Sequence, residues 1–144
     1  MKTGYLYLQT HPDHPGMVRF LTRDTMPDTD PASHPHEPTI RYVARFSDIE
    51  AAQMHVQNSL HRQLVDIDTH MYRVSLPEAM AVIESDGLKH ERVWLDPSLG
   101  DRELGLMEQS ARERRNKFRQ SDRIWQGVGL LFVALLLLRL LGLF

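Results

Sequence analysis

Gly4-Tyr-Leu-Tyr-Leu-Gln-Thr10, His11-Pro-Asp-His-Pro-Gly16 and Met17-Val-Arg-Phe-Leu-Thr22 follow one another without a break. The first and third stretches alternate apolar and polar side chains, which puts every second residue on the same face of a strand. The middle stretch holds two prolines and a glycine, residues that end strands and permit a reversal. Together they predict a β-hairpin. Further on, Thr39 to Phe46 alternates again, with Ile40, Tyr42, Ala44 and Phe46 on one face, and predicts a third strand. Residues 24 to 38 between strands two and three carry Pro27, Pro31, Pro35 and Pro38. Each proline removes a backbone donor and blocks a helix, so this segment is expected to be an extended loop.

Helix signals follow. Ser47-Asp-Ile-Glu50 has the pattern of a capping box, and Ile49, Ala52, Val56, Leu60 and Leu64 after it fall on one helical face. Ser75-Leu-Pro-Glu78 repeats the device and opens a short helix that packs Ala79, Met80 and Ile83 and stops before Gly87. Lys89 to Leu95 is a candidate fourth short strand. After Asp96-Pro-Ser-Leu-Gly100 another helix is expected from near Asp101, continuing unbroken into the apolar C-terminal run. The expected fold is therefore α+β, a small three-stranded antiparallel sheet with packed helices plus one C-terminal transmembrane helix. The expected divisions are a head over 1–95, a linker and basic juxtamembrane helix over 96–123, and a span over 124–144.

The span is read from hydropathy and length. From Ile124 to Phe144 the only ionisable residue is Arg139, and Gly127 to Leu138 contains no polar side chain. About 20 helical residues at about 1.5 Å each cover roughly 30 Å, the thickness of a hydrocarbon core. Trp125 falls where an interfacial aromatic belongs, and Arg139 lies near the far end, where its long side chain reaches the other headgroups. The competing reading, a buried core helix, needs more surrounding protein than a chain of 144 residues supplies. Arg112, Arg114, Arg115, Lys117, Arg119 and Arg123 precede the span, opposed by Glu113 and Asp122. That excess predicts a cytoplasmic N-terminus. The reading is of a tail-anchored protein with a single pass, without a cleavable secretory signal, since Met1 to Thr10 alternates instead of forming a charged start and an apolar core.

Charge is divided unevenly. Residues 1–111 carry ten Lys or Arg against seventeen Asp or Glu, and residues 112–144 carry seven against two. An acidic head is poorly suited to a phosphate backbone, so nucleic acid is not an expected partner. The basic stretch is expected to meet anionic lipid headgroups as well as setting the topology. With no cysteine, the chain has no disulfide and no thiolate metal site.

The order strand, Pro-Gly turn, strand, connector, strand, helix resembles the GIY-YIG nuclease superfamily, in its short phage and bacterial branch. Gly4-Tyr-Leu-Tyr7, His11-Pro-Asp-His-Pro-Gly16 and Arg19-Phe-Leu21 resemble that branch's GYIY, NPxxPG and KIG motifs. The helix ending Leu60-His61, followed by His70-Met-Tyr-Arg-Val-Ser75, is similar to its ExxxH helix and the segment after it; the resemblance covers residues 3 to 85. It implies a bacterial inner-membrane setting and a metal-dependent nuclease ancestry. Carried over residue by residue, Tyr7 matches the first tyrosine and Arg19 the lysine of KIG, whereas Leu21 occupies the motif's glycine. The helix that should bear the phosphate-binding arginine is replaced by the proline loop. Gln57, four residues before His61, stands where the family has its metal-binding glutamate. A neutral amide is a weak ligand for a hard divalent cation.

The expected function is thus a catalytically inactive GIY-YIG-like domain tethered to the membrane, an accessory subunit of an integral membrane protein complex, with no cofactor and the degenerate positions Tyr7, Arg19, Gln57 and His61. The alternative is an active membrane-tethered endonuclease, in which Glu50 would replace the missing glutamate and Arg19 or Arg23 the missing arginine. Gln53, Gln57 and His61 form a helical stripe, read as a remnant of the old active face. His11, His14, His34 and His36 lie in two Pro-rich loops and could bind zinc if the loops met, although exposed loop histidines are the simpler reading. Tyr7 and Tyr42 are expected to be half-buried sheet residues. Gly127 and Gly129 would allow a neighbouring helix to approach closely.

Overall fold

The hairpin forms as its alternation predicts. In the computed structural model, which describes residues 1–30 and 36–142, β1 (Gly4–Thr10) pairs antiparallel with β2 (Val18–Arg23), Tyr7 opposite Leu21 and Leu8 opposite Phe20. Gly16 closes the turn with a φ of 73°, a conformation glycine adopts without steric penalty. On its other side β1 pairs with β3 (Thr39–Phe46), Leu6 opposite Ala44 and Tyr7 opposite Val43. The expected loop after β2 is described only in part: Pro27 is buried, and Pro31, His34 and Pro35 lie outside the described residues.

The sheet is larger than three strands. It has six, all antiparallel, in the order β4-β5-β2-β1-β3-β6, with β4 at Leu64–Asp66, β5 at Met71–Tyr72 and β6 at His90–Leu95. The fourth strand expected near Lys89 is β6, which pairs with β3. The expectation of three strands fails at β4 and β5 because they are three and two residues long, too short to show a period. Their pairing with the β2 edge makes them strands. Arg19 strengthens that edge, its Nε donating to the Thr69 carbonyl at 3.0 Å.

Two helices cover one face. α1 (Ile49–Leu60) buries Ile49, Ala52, Val56 and Leu60, and α2 (Leu76–Glu84) buries Ala79 through Ile83. They meet Leu6, Leu8, Phe20, Tyr42, Ala44 and Phe46 from the sheet. At the start of α1 the approach is so close that a Cβ on Gly4 would lie 3.0 Å from Ile49 Cβ. Leu64, expected on the helical face of α1, is instead the first residue of β4 and 38% exposed, because the helix ends at Leu60 in a single 3-10 turn, His61–Gln63. The α1 cap is also one residue later than expected. Asp48 Oδ1 accepts from Ala51 N at 3.3 Å, while the Ser47 amide is already engaged with the Lys89 carbonyl at 3.2 Å. Ser75 caps α2 as its sequence predicts, with Oγ accepting from Glu78 N at 3.4 Å.

α3 runs without interruption from Asp101 to Leu140, 40 residues or about 60 Å. Its first three turns belong to the head: Met107 and Ala111, one turn apart on one face, are buried in the core together with Leu99 from the preceding turn. The head therefore packs past residue 95. Two ionic contacts hold this junction. Arg41 Nε lies 2.7 Å from Asp96 Oδ2, and Arg114 Nη2 donates to Glu78 Oε1 at 3.1 Å. Beyond Arg119 the helix leaves the head. Ile124, Trp125, Leu130 and Leu140 are 60 to 82% exposed, and an 18-residue window of mean hydropathy 1.7 has none of its residues buried within the molecule. This is one helix of a length and composition sufficient to cross a membrane.

Candidate functional site

The sheet separates the positions that the nuclease resemblance would bring together. Leu6 and Leu8 point into the core under α1 and α2, so Tyr7 between them faces the opposite side. There it is buried to 4%, beside Leu21 and Val43 in the register, with the Arg23 guanidinium 5.9 Å from its ring centre. Arg19 alternates with the core residues Val18 and Phe20 and also faces away from the helices. Gln57 and His61 belong to α1 and its following turn, on the helical side. Gln57 borders a depression of about 10 Å³ with Gln53 and His70, over Phe20 and Tyr72. His61 is satisfied locally, its Nδ1 2.8 Å from the Asn58 carbonyl. Two of the four positions lie on each side of the sheet, so they do not share a pocket.

The Pro-rich loops do approach each other. His36 Nδ1 lies 3.5 Å from Asp13 Oδ1, His11 Nδ1 lies 3.8 Å from Asp13 Oδ2, and the His11 and His14 rings are 5.4 Å apart. The Asp13 amide donates to His11 Nδ1 at 3.1 Å, which occupies that lone pair. Among the described residues no group of three or more His, Asp or Glu side chains is placed to hold a metal ion, and His34 lies outside them.

The main polar constellation centres on Glu84, in the last turn of α2. Tyr42, fully buried on β3, donates its hydroxyl to Glu84 Oε1 at 2.8 Å. Arg92 Nε on β6 lies 3.4 Å from the same oxygen, and His90 Nε2 lies 3.9 Å from Oε2. The His90 ring stacks on Phe46 with centres 5.0 Å apart, and its Nδ1 is 2.9 Å from the Leu88 carbonyl. Nδ1 therefore carries a proton and Nε2 faces the carboxylate. The Glu84 carboxylate facing Nε2 raises the His90 pKa above that of a free imidazole, against the opposing effect of burial. The same contact with His90, then Tyr42 and the Arg92 charge, holds Glu84 below the ordinary carboxylate value. Burial, followed by the Glu84 charge, pushes the Tyr42 hydroxyl far above the usual phenol range. Glu84 is thereby held ionised and clamps Tyr42, His90 and Arg92 around one carboxylate.

Beside this clamp α3 forms a cleft of about 520 Å³ with the head, lined by Glu84 and Arg92 on one wall and Arg112, Arg115, Asn116 and Arg119 on the other. The basic residues read from sequence as a topology signal thus divide by role. Arg114 is engaged by Glu78; Arg112, Arg115 and Arg119 line the cleft; Lys117 and Arg123 lie outside it. Trp125 is 71% exposed where the apolar stretch begins, and Arg139 is in its last turn. The Glu84 cluster escapes sequence reasoning because its members are brought together from β3, α2 and β6, Tyr42 and Glu84 standing 42 positions apart. The available signal was an acidic residue ending the otherwise apolar run Ala79 to Ile83. Compared with protein-family models, with curated proteins and with solved structures, the chain matches none.

Proposed function

We propose that this protein is a non-catalytic, membrane-anchored accessory module whose head, a degenerate GIY-YIG-like domain, docks on an integral membrane protein complex from the cytoplasmic side. The observation that carries the reading is the continuity of α3: Met107 and Ala111 fix one part of the helix in the head core, and the same helix presents a bare apolar surface from Ile124 onward. An apolar surface of that length requires a nonpolar medium or neighbouring helices. A continuous helix rooted in a packed domain also fixes the height and heading of the head, which suits positioning against a partner better than a flexible tether would. Ala111 precedes Ile124 by thirteen residues, or about 20 Å of helix. The basic turns in that interval favour the cytoplasmic side and anionic headgroups.

What supports the absence of catalysis is the separation of Tyr7 and Arg19 from Gln57 and His61 by the sheet, together with an amide where a metal-binding carboxylate is needed. The test is a mild-detergent pull-down of the full chain beside a version ending at Gln120, with captured proteins identified by mass spectrometry. The expected result is a stoichiometric membrane protein retained by the full chain and lost or much reduced on truncation. If the full chain captures no membrane protein while the purified protein cleaves DNA with added magnesium or manganese, a tethered nuclease replaces this reading.

A further inference from the structure

We propose that the arginine cleft between the head and α3 is a binding site for the phosphate of an anionic phospholipid headgroup; the inference rests on α3 spanning a membrane. Arg112, Arg115 and Arg119 follow at i, i+3 and i+7, one stripe of the helix, and Arg92 faces them from β6. The two carboxylates on the cleft, Glu84 and Glu108, are already engaged: Glu84 by Tyr42 and Arg92, Glu108 by Arg112 at 3.9 Å. Arg115 has its Nε 3.4 Å from the Ala111 carbonyl of its own helix, and Arg119 has no ionic or hydrogen-bond partner among the described residues. The cleft therefore keeps two guanidinium groups without carboxylate partners. Planar guanidinium forks match phosphate oxygens in pairs, and the Asn116 amide adds a further donor.

Position identifies the source of the phosphate. Arg119 precedes Ile124 by five residues and Arg115 by nine, or about 7.5 and 13.5 Å along the helix. The headgroup layer extends about 5–7 Å beyond the hydrocarbon core, so the lower end of the cleft opens at phosphate level, within reach of long side chains. A nucleic-acid backbone is a poor occupant, because residues 1–111 carry seventeen Asp or Glu against ten Lys or Arg and the cleft is only a few residues long.

The test is native mass spectrometry of the full-length protein in mild detergent, titrated separately with phosphatidylglycerol, phosphatidylcholine and inorganic phosphate. One phosphatidylglycerol should be retained per chain, with phosphatidylcholine and inorganic phosphate each bound at least about tenfold more weakly. The double variant Arg115→Gln/Arg119→Gln should weaken phosphatidylglycerol binding by about tenfold or more, and Lys117→Gln/Arg123→Gln, which removes the same charge outside the cleft, by less than about threefold. Both pairs are exposed, so neither exchange disturbs the core. Equal losses from the two pairs would reduce the effect to diffuse attraction and overturn the site. Equal binding of phosphatidylcholine would remove charge recognition, and inorganic phosphate binding as tightly as the lipid would make free phosphate the ligand. Any of these results with the protein still in the membrane fraction overturns the cleft alone; a chain recovered from cells without detergent overturns the anchor.

Discussion

Replacing Ala111 with aspartate is expected to destabilise the head by about 3–5 kcal/mol, the penalty of leaving a charge uncompensated in a packed interior. Ala111 is 1% exposed and meets the core one helical turn after Met107, where α3 packs on α2. Of the two arginines that follow it, Arg114 is engaged by Glu78, and Arg115 has its Nε 3.4 Å from the Ala111 carbonyl. Gln109→Asp, on an exposed position of the same helix, is the control and should cost no more than about 1 kcal/mol, for the lost hydrogen bond to Glu113 and the like charge set four residues from it. Urea unfolding of both variants measures the difference. Equal midpoints would mean that α3 is not part of the cooperative unit and that the head is free to swing about a linker.

The second large effect is expected at Glu84. Its exchange for glutamine leaves Tyr42 a hydrogen-bond acceptor but removes the countercharge of Arg92 and His90, at an expected loss of about 2 kcal/mol near pH 6. The loss should depend on pH. The Glu84 pKa is lowered, so its contribution is present above the ordinary value of 4.5 and fades as pH falls through the lowered one. The His90 pKa is raised, so its contribution is complete below 6.5 and fades as pH rises through the raised value. Both act fully between those two ordinary values. The difference between native protein and Glu84→Gln should therefore be larger at pH 6 than at pH 9, measured by denaturant unfolding at each pH. A difference that does not vary with pH would separate His90 from the cluster.

Where local pattern determined the outcome, the chain could be read directly. The β1–β2 hairpin, the shared face of Tyr42, Ala44 and Phe46 on β3, the Ser75 cap and the continuous helix from Asp101 all follow from alternation, turn residues or 3.6-residue periodicity. Ile40 leaves that face because the β1–β3 register shifts between Leu8 and Gln9, pairing Gln9 with Ile40. Where tertiary pairing determined it, local pattern misled. Leu64 continues the helical spacing of α1, yet joins the sheet because β5 offers it a partner. Asp48 takes the place of Ser47 as the cap, and the Ser47 amide that a capping box would offer to Glu50 bonds the Lys89 carbonyl instead. The candidate site divides in the same way. The basic residues were visible as a cluster, but which of them face a cleft depends on where α2 and β6 meet α3. The positions that a nuclease resemblance would group follow one another in motif order, while the pleat of β1 turns Tyr7 away from the helix that carries Gln57.

If one helix joins a packed cytoplasmic head to a membrane span, cysteine labelling will place its two halves in different media. The chain has no cysteine, so single substitutions Gln120→Cys and Val133→Cys report without background. With a membrane-impermeant maleimide, the account predicts that Gln120→Cys is labelled in inside-out vesicles but not in intact cells, and that Val133→Cys is labelled in neither until detergent is added. Labelling of Gln120→Cys from outside would invert the topology, and labelling of Val133→Cys without detergent would contradict a membrane span.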